Sequence, residues 1–313
     1  MKQSLSPAYV VGLLLVPTWA LALELPLELY GEANVSRDLV EEDENVWTSN
    51  VSKLGIKGEY AVSTDLSVIY QVEQGIDLVH GGKQVDTLLS TRNTFIGVSG
   101  AFGKFMVGTH DTPLKKTQGK VDLFNNQAGD IKALVPGEVR ARDSYVWHSP
   151  RFAEAFTIQA MYVPADSDFD ASQSLAIFWA RDSFGINLAI DSKMRKNDRE
   201  VTRTKVYDAM RGSVEYKPGT WRFGLLLEIA EQRNTARPVR ETAYIVSAGK
   251  SIEKLTFKMQ MGWSDIIVPD ARQSSLGVDF AVRPDFILYA QASNHDNGIA
   301  RQYTVSLGAR FKF

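Results

Sequence analysis

The chain has 313 residues, with 35 basic against 37 acidic side chains for a net charge of −2, and no cysteine. The near-balance gives no preference for nucleic acid or another polyanion, and the missing thiols exclude thiol catalysis, thiolate metal sites and disulfides. Four scattered histidines, His80, His110, His148 and His295, make no metal cluster, so neither a metal nor a cofactor is expected.

The first 22 residues read differently from the rest. Lys2 gives a minimal positive start, AYVVGLLLVPTWALA (Ala8 to Ala22) an apolar stretch, and Ala20-Leu21-Ala22 a small-residue cleavage site. Residues 1–22 are therefore expected to be a signal peptide, because the apolar run falls short of the roughly 18 to 20 residues that span a bilayer. No later stretch is comparably hydrophobic, so residues 23–313 are expected to leave the cytoplasm as one domain without a transmembrane helix.

From Leu23 onward the dominant signal is alternation. LELYGEANV sets Leu27, Leu29, Gly31, Ala33 and Val35 against Glu28, Tyr30, Glu32 and Asn34. SKLGIKGEYAV sets Leu54, Ile56, Gly58 and Tyr60 against Lys53, Lys57 and Glu59, and LSVIYQVEQ sets Leu66, Val68, Tyr70 and Val72 against Ser67, Gln71 and Glu73. In the second half, Trp221, Phe223, Leu225, Leu227 and Ile229 oppose Arg222, Gly224 and Glu228, and Leu255 to Trp263 alternates with Thr256, Lys258, Gln260 and Gly262. Leu276, Val278, Phe280 and Val282 oppose Gly277, Asp279 and Arg283, and the chain ends on YTVSLGARFKF, with Tyr303, Val305, Leu307, Ala309, Phe311 and Phe313 on one face. A period of two over segment after segment means strands with one apolar and one polar face.

Turn signals separate these runs at Ser63-Thr64-Asp65, Gly103, Lys217-Pro218-Gly219, Ser251 to Lys254 and Arg283-Pro284-Asp285, while VEEDENVW and SNHDNGIA are longer connections. Strands laid between turns number about 16, near 18 residues for each strand plus connection, which suits membrane-barrel strands of roughly 9 to 11 residues. Glycine, serine and long charged residues share the polar face, as expected of a water-filled lumen, and aromatics near strand ends (Tyr60, Tyr216, Trp221, Trp263, Tyr303, Phe313) suit interfacial girdles. The expected fold is an all-β, closed antiparallel transmembrane barrel, since an open edge in lipid would leave backbone groups unpaired.

Thr91 to Asp130 contains RNTFIGVSG, FGKFMVGTHDTP and DLF, and closely resembles the fourth and fifth strands and the start of the third loop of Gram-negative general porins. ELYGEANV, SYVWHSP leading into FTIQAMYV, and the terminal YTVSLGARFKF extend the resemblance along the mature chain. It implies a trimeric barrel of about 16 strands in the outer membrane, with the third loop folded inward. It also implies that Phe313 is part of the signal read by the barrel-assembly machinery. Thr109 stands where many relatives carry arginine and Ala101 where an acid is frequent, so cation preference does not carry over.

A lumen this wide is an aqueous channel unless something narrows it. Thr112 to Arg142 lacks a strand pattern and is the candidate constriction, with six basic residues (Lys115, Lys116, Lys120, Lys132, Arg140, Arg142) against three acidic (Asp122, Asp130, Glu138). Alternation puts nine basic residues on the lumen wall (Lys53, Lys57, Lys104, Arg211, Arg222, Lys258, Arg283, Arg310, Lys312) and eight acidic (Glu28, Glu32, Glu59, Glu73, Asp191, Glu215, Glu228, Asp279), which decides no selectivity. The resemblance implies that the loop acids face a cluster of wall arginines and lysines. The expected function is passive diffusion of small hydrophilic solutes and ions, with an anion- or sugar-selective channel as the alternative. An enzyme is the rival from another class, since His110-Asp111 and His148-Ser149 could seed a Ser/His/Asp arrangement, but no nucleophile elbow accompanies them.

Overall fold

In the computed structural model, residues 26–41, 44–80, 88–196, 204–298 and 300–313 are described; the expected signal peptide, 1–22, lies outside them. The first strands are β1 (Glu28–Val40), β2 (Val46–Ser49), β3 (Lys53–Ala61), β4 (Leu66–Ile76), β5 (Leu89–Gly100) and β6 (Gly103–Asp111). A long connection containing helix α1 (Pro113–Lys116) and a short 3-10 turn (Ile131–Ala133) leads to β7 (Arg140–His148), β8 (Phe156–Val163), β9 (Ser172–Arg181) and β10 (Phe184–Arg195). The remainder is β11 (Val206–Tyr216), β12 (Trp221–Gln232), β13 (Arg240–Ile252), β14 (Leu255–Ser264), β15 (Ala271–Arg283), β16 (Phe286–Asp296) and β17 (Arg301–Lys312).

Consecutive strands pair antiparallel from β3 to β17, and β17 returns to pair with β1, which closes the ring. β2 takes no ring position of its own: it pairs with Val35 to Asp38 of β1, while β3 pairs with Glu28 to Glu32 of the same strand. The break between them contains Val51 at φ 58. Sixteen positions therefore close the barrel, as the alternation predicts. Closure is completed by the last residue: Gly31 N donates to Phe313 O at 2.9 Å, Phe313 N donates to Gly31 O at 3.2 Å, and an added Cβ on Gly31 would lie 2.3 Å from the Phe313 ring.

The turn signals read from the sequence all fall at one end, where residues 101–102, 182–183, 253–254 and 284–285 form two-residue turns. The described residues of VEEDENVW and SNHDNGIA lie at the other end, as does the connection from Thr112 to Val139. The outward face is apolar; Leu225, Leu276 and Leu307 are 49%, 63% and 58% exposed, as lipid-facing side chains must be. At the short-turn end Phe184 stacks on Tyr216 with ring centroids 4.3 Å apart, and Trp221 on Phe223 at 5.7 Å. Trp263 and Tyr303 stand exposed near the opposite end, so the aromatics form two belts.

Candidate functional site: a constriction loop seated on one wall

The inward face is not uniformly polar. Leu114, Val121, Ile131, Leu134 and Val135 of the long connection are buried against Ala176, Ala189, Ala209, Leu226, Ala230, Ala243 and Ile245 on the wall. The loop thus folds into the lumen and covers an apolar strip from β9 to β13. Alternation alone assigns Leu226 and Ile245 to the water-facing side, where they would be costly without this cover. The strand glycines have the same origin: a Cβ on Gly224 would lie 2.9 Å from Val121 Cα, on Gly262 2.3 Å from Leu134 and on Gly277 2.9 Å from the Phe124 ring. They give the loop room to seat, and do not simply mark a wet lumen.

Local chemistry shapes the loop before the wall does. Thr112 caps α1, its Oγ1 accepting from Lys115 N at 3.1 Å with Pro113 in the first turn, and Thr117 Oγ1 donates to Leu114 O at 2.6 Å at the other end. Asp122 accepts from Phe124 N at 3.1 Å, and Asp130 accepts from Lys132 N at 2.8 Å and Asn126 N at 2.7 Å. Side chains of the wall then take the loop's backbone: Lys120 N donates to Glu215 at 2.8 Å, Leu123 N to Gln260 at 2.8 Å, and Ser264 donates to Leu134 O at 2.6 Å.

These contacts place the predicted site residues in three groups. Arg211, Glu228 and Glu138 form a latch beneath the loop: Arg211 Nε donates to Glu228 at 2.6 Å and its NH1 group to Glu138 at 2.8 Å, with Arg211 and Glu228 both at 0% exposure. Burial raises the Glu138 carboxyl above its ordinary range although Arg211 pulls it down. Asp122 and Asp130 are likewise buried as internal staples, and burial with the adjacent Asp130 and Glu138 carboxyls pushes Asp122 up to about 8.

On the wall away from the seat, Glu73 holds Arg92 at 2.6 Å and Lys53 at 3.5 Å, and Asp111 holds Arg140 at 3.0 Å and Lys115 at 3.1 Å. Sequence reading missed Arg92 because the β4–β5 register shifts between Val72 and Gln74, so an even-spaced count through β5 assigns its face wrongly. Lys57 pairs with Glu28 at 2.9 Å. Arg283 pairs with Asp285 in the short turn after β15, at the barrel rim.

The third group lines a cavity of about 800 Å³ between loop and wall: Lys120 from the loop, with Lys53, Lys217, Arg222, Lys258, Arg310 and Lys312. Its acids are Glu32, Asp122 and Asp279, of which Asp279 pairs with Lys258 at 2.8 Å and Glu32 with Lys312 at 3.9 Å. Among the described residues Lys120, Arg222 and Arg310 make no ion pair, and the buried Arg310 Nε has no hydrogen-bond acceptor. Burial, then the Arg222 and Lys312 charges, lowers the Lys120 ammonium from its ordinary value. Lys217, from a turn, was not predictable as a lumen residue by alternation.

A family profile described as Gram-negative porin matches residues 11–300. The major outer membrane protein P.IB of Neisseria sicca is 31% identical over 141 residues, which is 44% of this chain and 38% of that protein. P.IB of Neisseria meningitidis serogroup B is 33% identical over 103 residues, 33% of this chain and 30% of the relative, so the matched region spans well under half the length of either relative. Among solved structures, the anion-selective porin from Comamonas acidovorans superposes with TM-score 0.77 at 16% identity, covering 93% of this chain and 100% of that one. OmpT of Vibrio cholerae in its trimer form superposes with TM-score 0.67 at 17% identity, covering 92% of this chain and 99% of that one. At such identities these two likenesses concern the fold, whereas the profile spans most of the sequence, and together with the closed barrel and its seated third loop it makes this chain a member of the Gram-negative porin family.

Proposed function

We propose that the protein is an outer-membrane channel through which small hydrophilic solutes and ions diffuse passively, with a preference for anions at the constriction. The observation that carries the preference is the trio Lys120, Arg222 and Arg310, cations without ion-pair partners among the described residues around one cavity beside the loop. By contrast, the loop acids Asp130 and Glu138 do not border that space, Asp122 borders it but is buried and bonds to its own loop's backbone, and the wall cations Lys53, Arg92 and Arg140 are ion-paired with Glu73 and Asp111. The field at the narrow part is then set by unpaired positive charge between low-dielectric walls.

An enzymatic reading finds less support. His110 Nδ1 faces the Asp111 backbone carbonyl at 3.0 Å instead of a carboxylate, and Ser149 Oγ donates to Pro150 O at 2.8 Å. Assembly into a homotrimer, contact with outer-membrane lipid and a role for Phe313 in recognition by the assembly machinery belong to the same proposal. The trimer form of the OmpT neighbour and the Phe313–Gly31 closure support the first and last.

The test is the reversal potential of the purified protein in a planar bilayer under a potassium chloride gradient. The expected sign is that of chloride permeating faster than potassium; the opposite sign would overturn the preference, and absence of conductance would overturn the channel.

A further inference from the structure

Away from the cavity beside the loop, α1, β6 and β7 bring basic groups together that neither the latch nor the constriction uses. Lys116 Nζ lies 3.4 Å from His148 Nε2, the rings of His110 and His148 meet edge to face with centroids 5.5 Å apart, and Lys104 stands opposite His148 in the β6–β7 register. These four side chains border one cavity of about 480 Å³. Among the described residues no carboxylate pairs with Lys104 or Lys116: Asp111 is held by Lys115 and Arg140, and Glu28 by Lys57. Glu59 also borders the cavity and makes no ion pair with either lysine.

The hydrogen-bond roles leave donors, not acceptors, for a ligand. An ammonium only donates, so His148 accepts at Nε2 and keeps its proton on Nδ1, while His110 directs Nδ1 at the Asp111 carbonyl. Burial lowers Lys116 to about 8 while the Asp111 charge offsets part of that effect, so it remains mostly charged at neutral pH without a direct ion pair. Cations gathered without a directly paired carboxylate favour an added anion, and two ammonium groups with an imidazole N–H match an acceptor that offers several oxygens and two charges.

We propose that Lys104, Lys116 and His148 form a lumenal subsite for a small, doubly charged oxyanion, of which inorganic phosphate is the simplest. The subsite rests on the channel reading only in that its ligand must enter the lumen; it does not depend on which ions the constriction prefers.

Chloride current through the full-length protein in a planar bilayer, titrated with inorganic phosphate at constant ionic strength, tests it. The expected result is a saturable reduction of current whose half-blocking concentration rises tenfold or more in the double variant Lys104→Gln, His148→Gln, and is largely kept in Lys116→Arg. Should the double variant fail to fold, Glu59→Gln serves as the second test, because removing the remaining acid is expected to lower the half-blocking concentration severalfold. A strictly linear, non-saturating response, or a half-blocking concentration unmoved by either the double variant or Glu59→Gln, would overturn the subsite. The reversal potential in the same bilayer separates the two proposals: a cation-preferring channel that phosphate still blocks saturably would sink the anion preference and leave the subsite standing.

Discussion

Arg211 on β11 and Glu228 on β12 face each other in register, and the guanidinium Nε meets the carboxylate at 2.6 Å with neither side chain exposed. Because Glu138 of the loop shares the same guanidinium at 2.8 Å, this cross-strand pair also anchors the inward-folded loop. Arg211→Gln leaves two buried acids without a cation. We expect a loss of about 3–5 kcal/mol from the seated loop, read as a lower midpoint of thermal unfolding and as increased current noise from an unseated loop. Unchanged noise would mean that the apolar seat alone holds the loop.

Gly224→Val tests that seat. The new side chain meets Val121 backbone at 2.9 Å and Ser247 Oγ at 2.6 Å, atoms that cannot swing away together. Overpacking of this kind costs about 1–3 kcal/mol, and the loop is expected to lift from the wall, raising single-channel conductance. Conductance equal to the wild type would show that the strand glycine is not required by the loop.

Charge reversal at the unpaired cations should move selectivity without moving the loop. Arg222→Glu combined with Arg310→Glu is expected to shift the reversal potential toward potassium, and Arg283→Glu at the rim, where Asp285 already pairs it, to shift it far less. Equal shifts for both would place the selectivity-determining field elsewhere.

Asp122 gives a pH dependence with a defined sign. Its carboxyl, ordinarily near 3.8, is pushed up to about 8 in the fold by burial and by Asp130 and Glu138. The folded protein therefore binds this proton more tightly than the unfolded chain does. Its stabilising contribution is complete below the ordinary value, falls as pH rises, and is lost by the time pH passes about 8. Thermal midpoints measured from pH 4 to pH 9 should decline accordingly, and Asp122→Asn should flatten the decline; an identical slope in the variant would assign the dependence to other groups.

At the seam, deleting Phe313 removes both hydrogen bonds to Gly31 and the ring that covers it. Refolding of the denatured chain into vesicles is expected to slow severalfold, and Phe313→Tyr, which keeps backbone and ring, to fold near the wild-type rate. If deletion left the rate unchanged, closure would not depend on this residue.

The barrel itself was legible in the sequence, since strands exposed to lipid on one side and water on the other must alternate, and Leu255 to Trp263 does so without a break. The inward third loop was legible only through resemblance, because Thr112 to Val139 has no period of its own. What tertiary structure alone decided was the fate of each charge. Alternation assigns Arg211, Arg222 and Glu228 to one lumen wall, yet Arg211 and Glu228 lie sealed beneath the loop while Arg222 lines the open cavity. Asp122 and Asp130 read as pore acids but bond to their own loop's backbone, and Arg92 enters the lumen through a register shift. The physical reason is that a period of two records only which side of the wall a residue faces. Whether its charge is paired, buried or free depends on which strand the loop covers, and that is fixed by contacts between residues about a hundred positions apart.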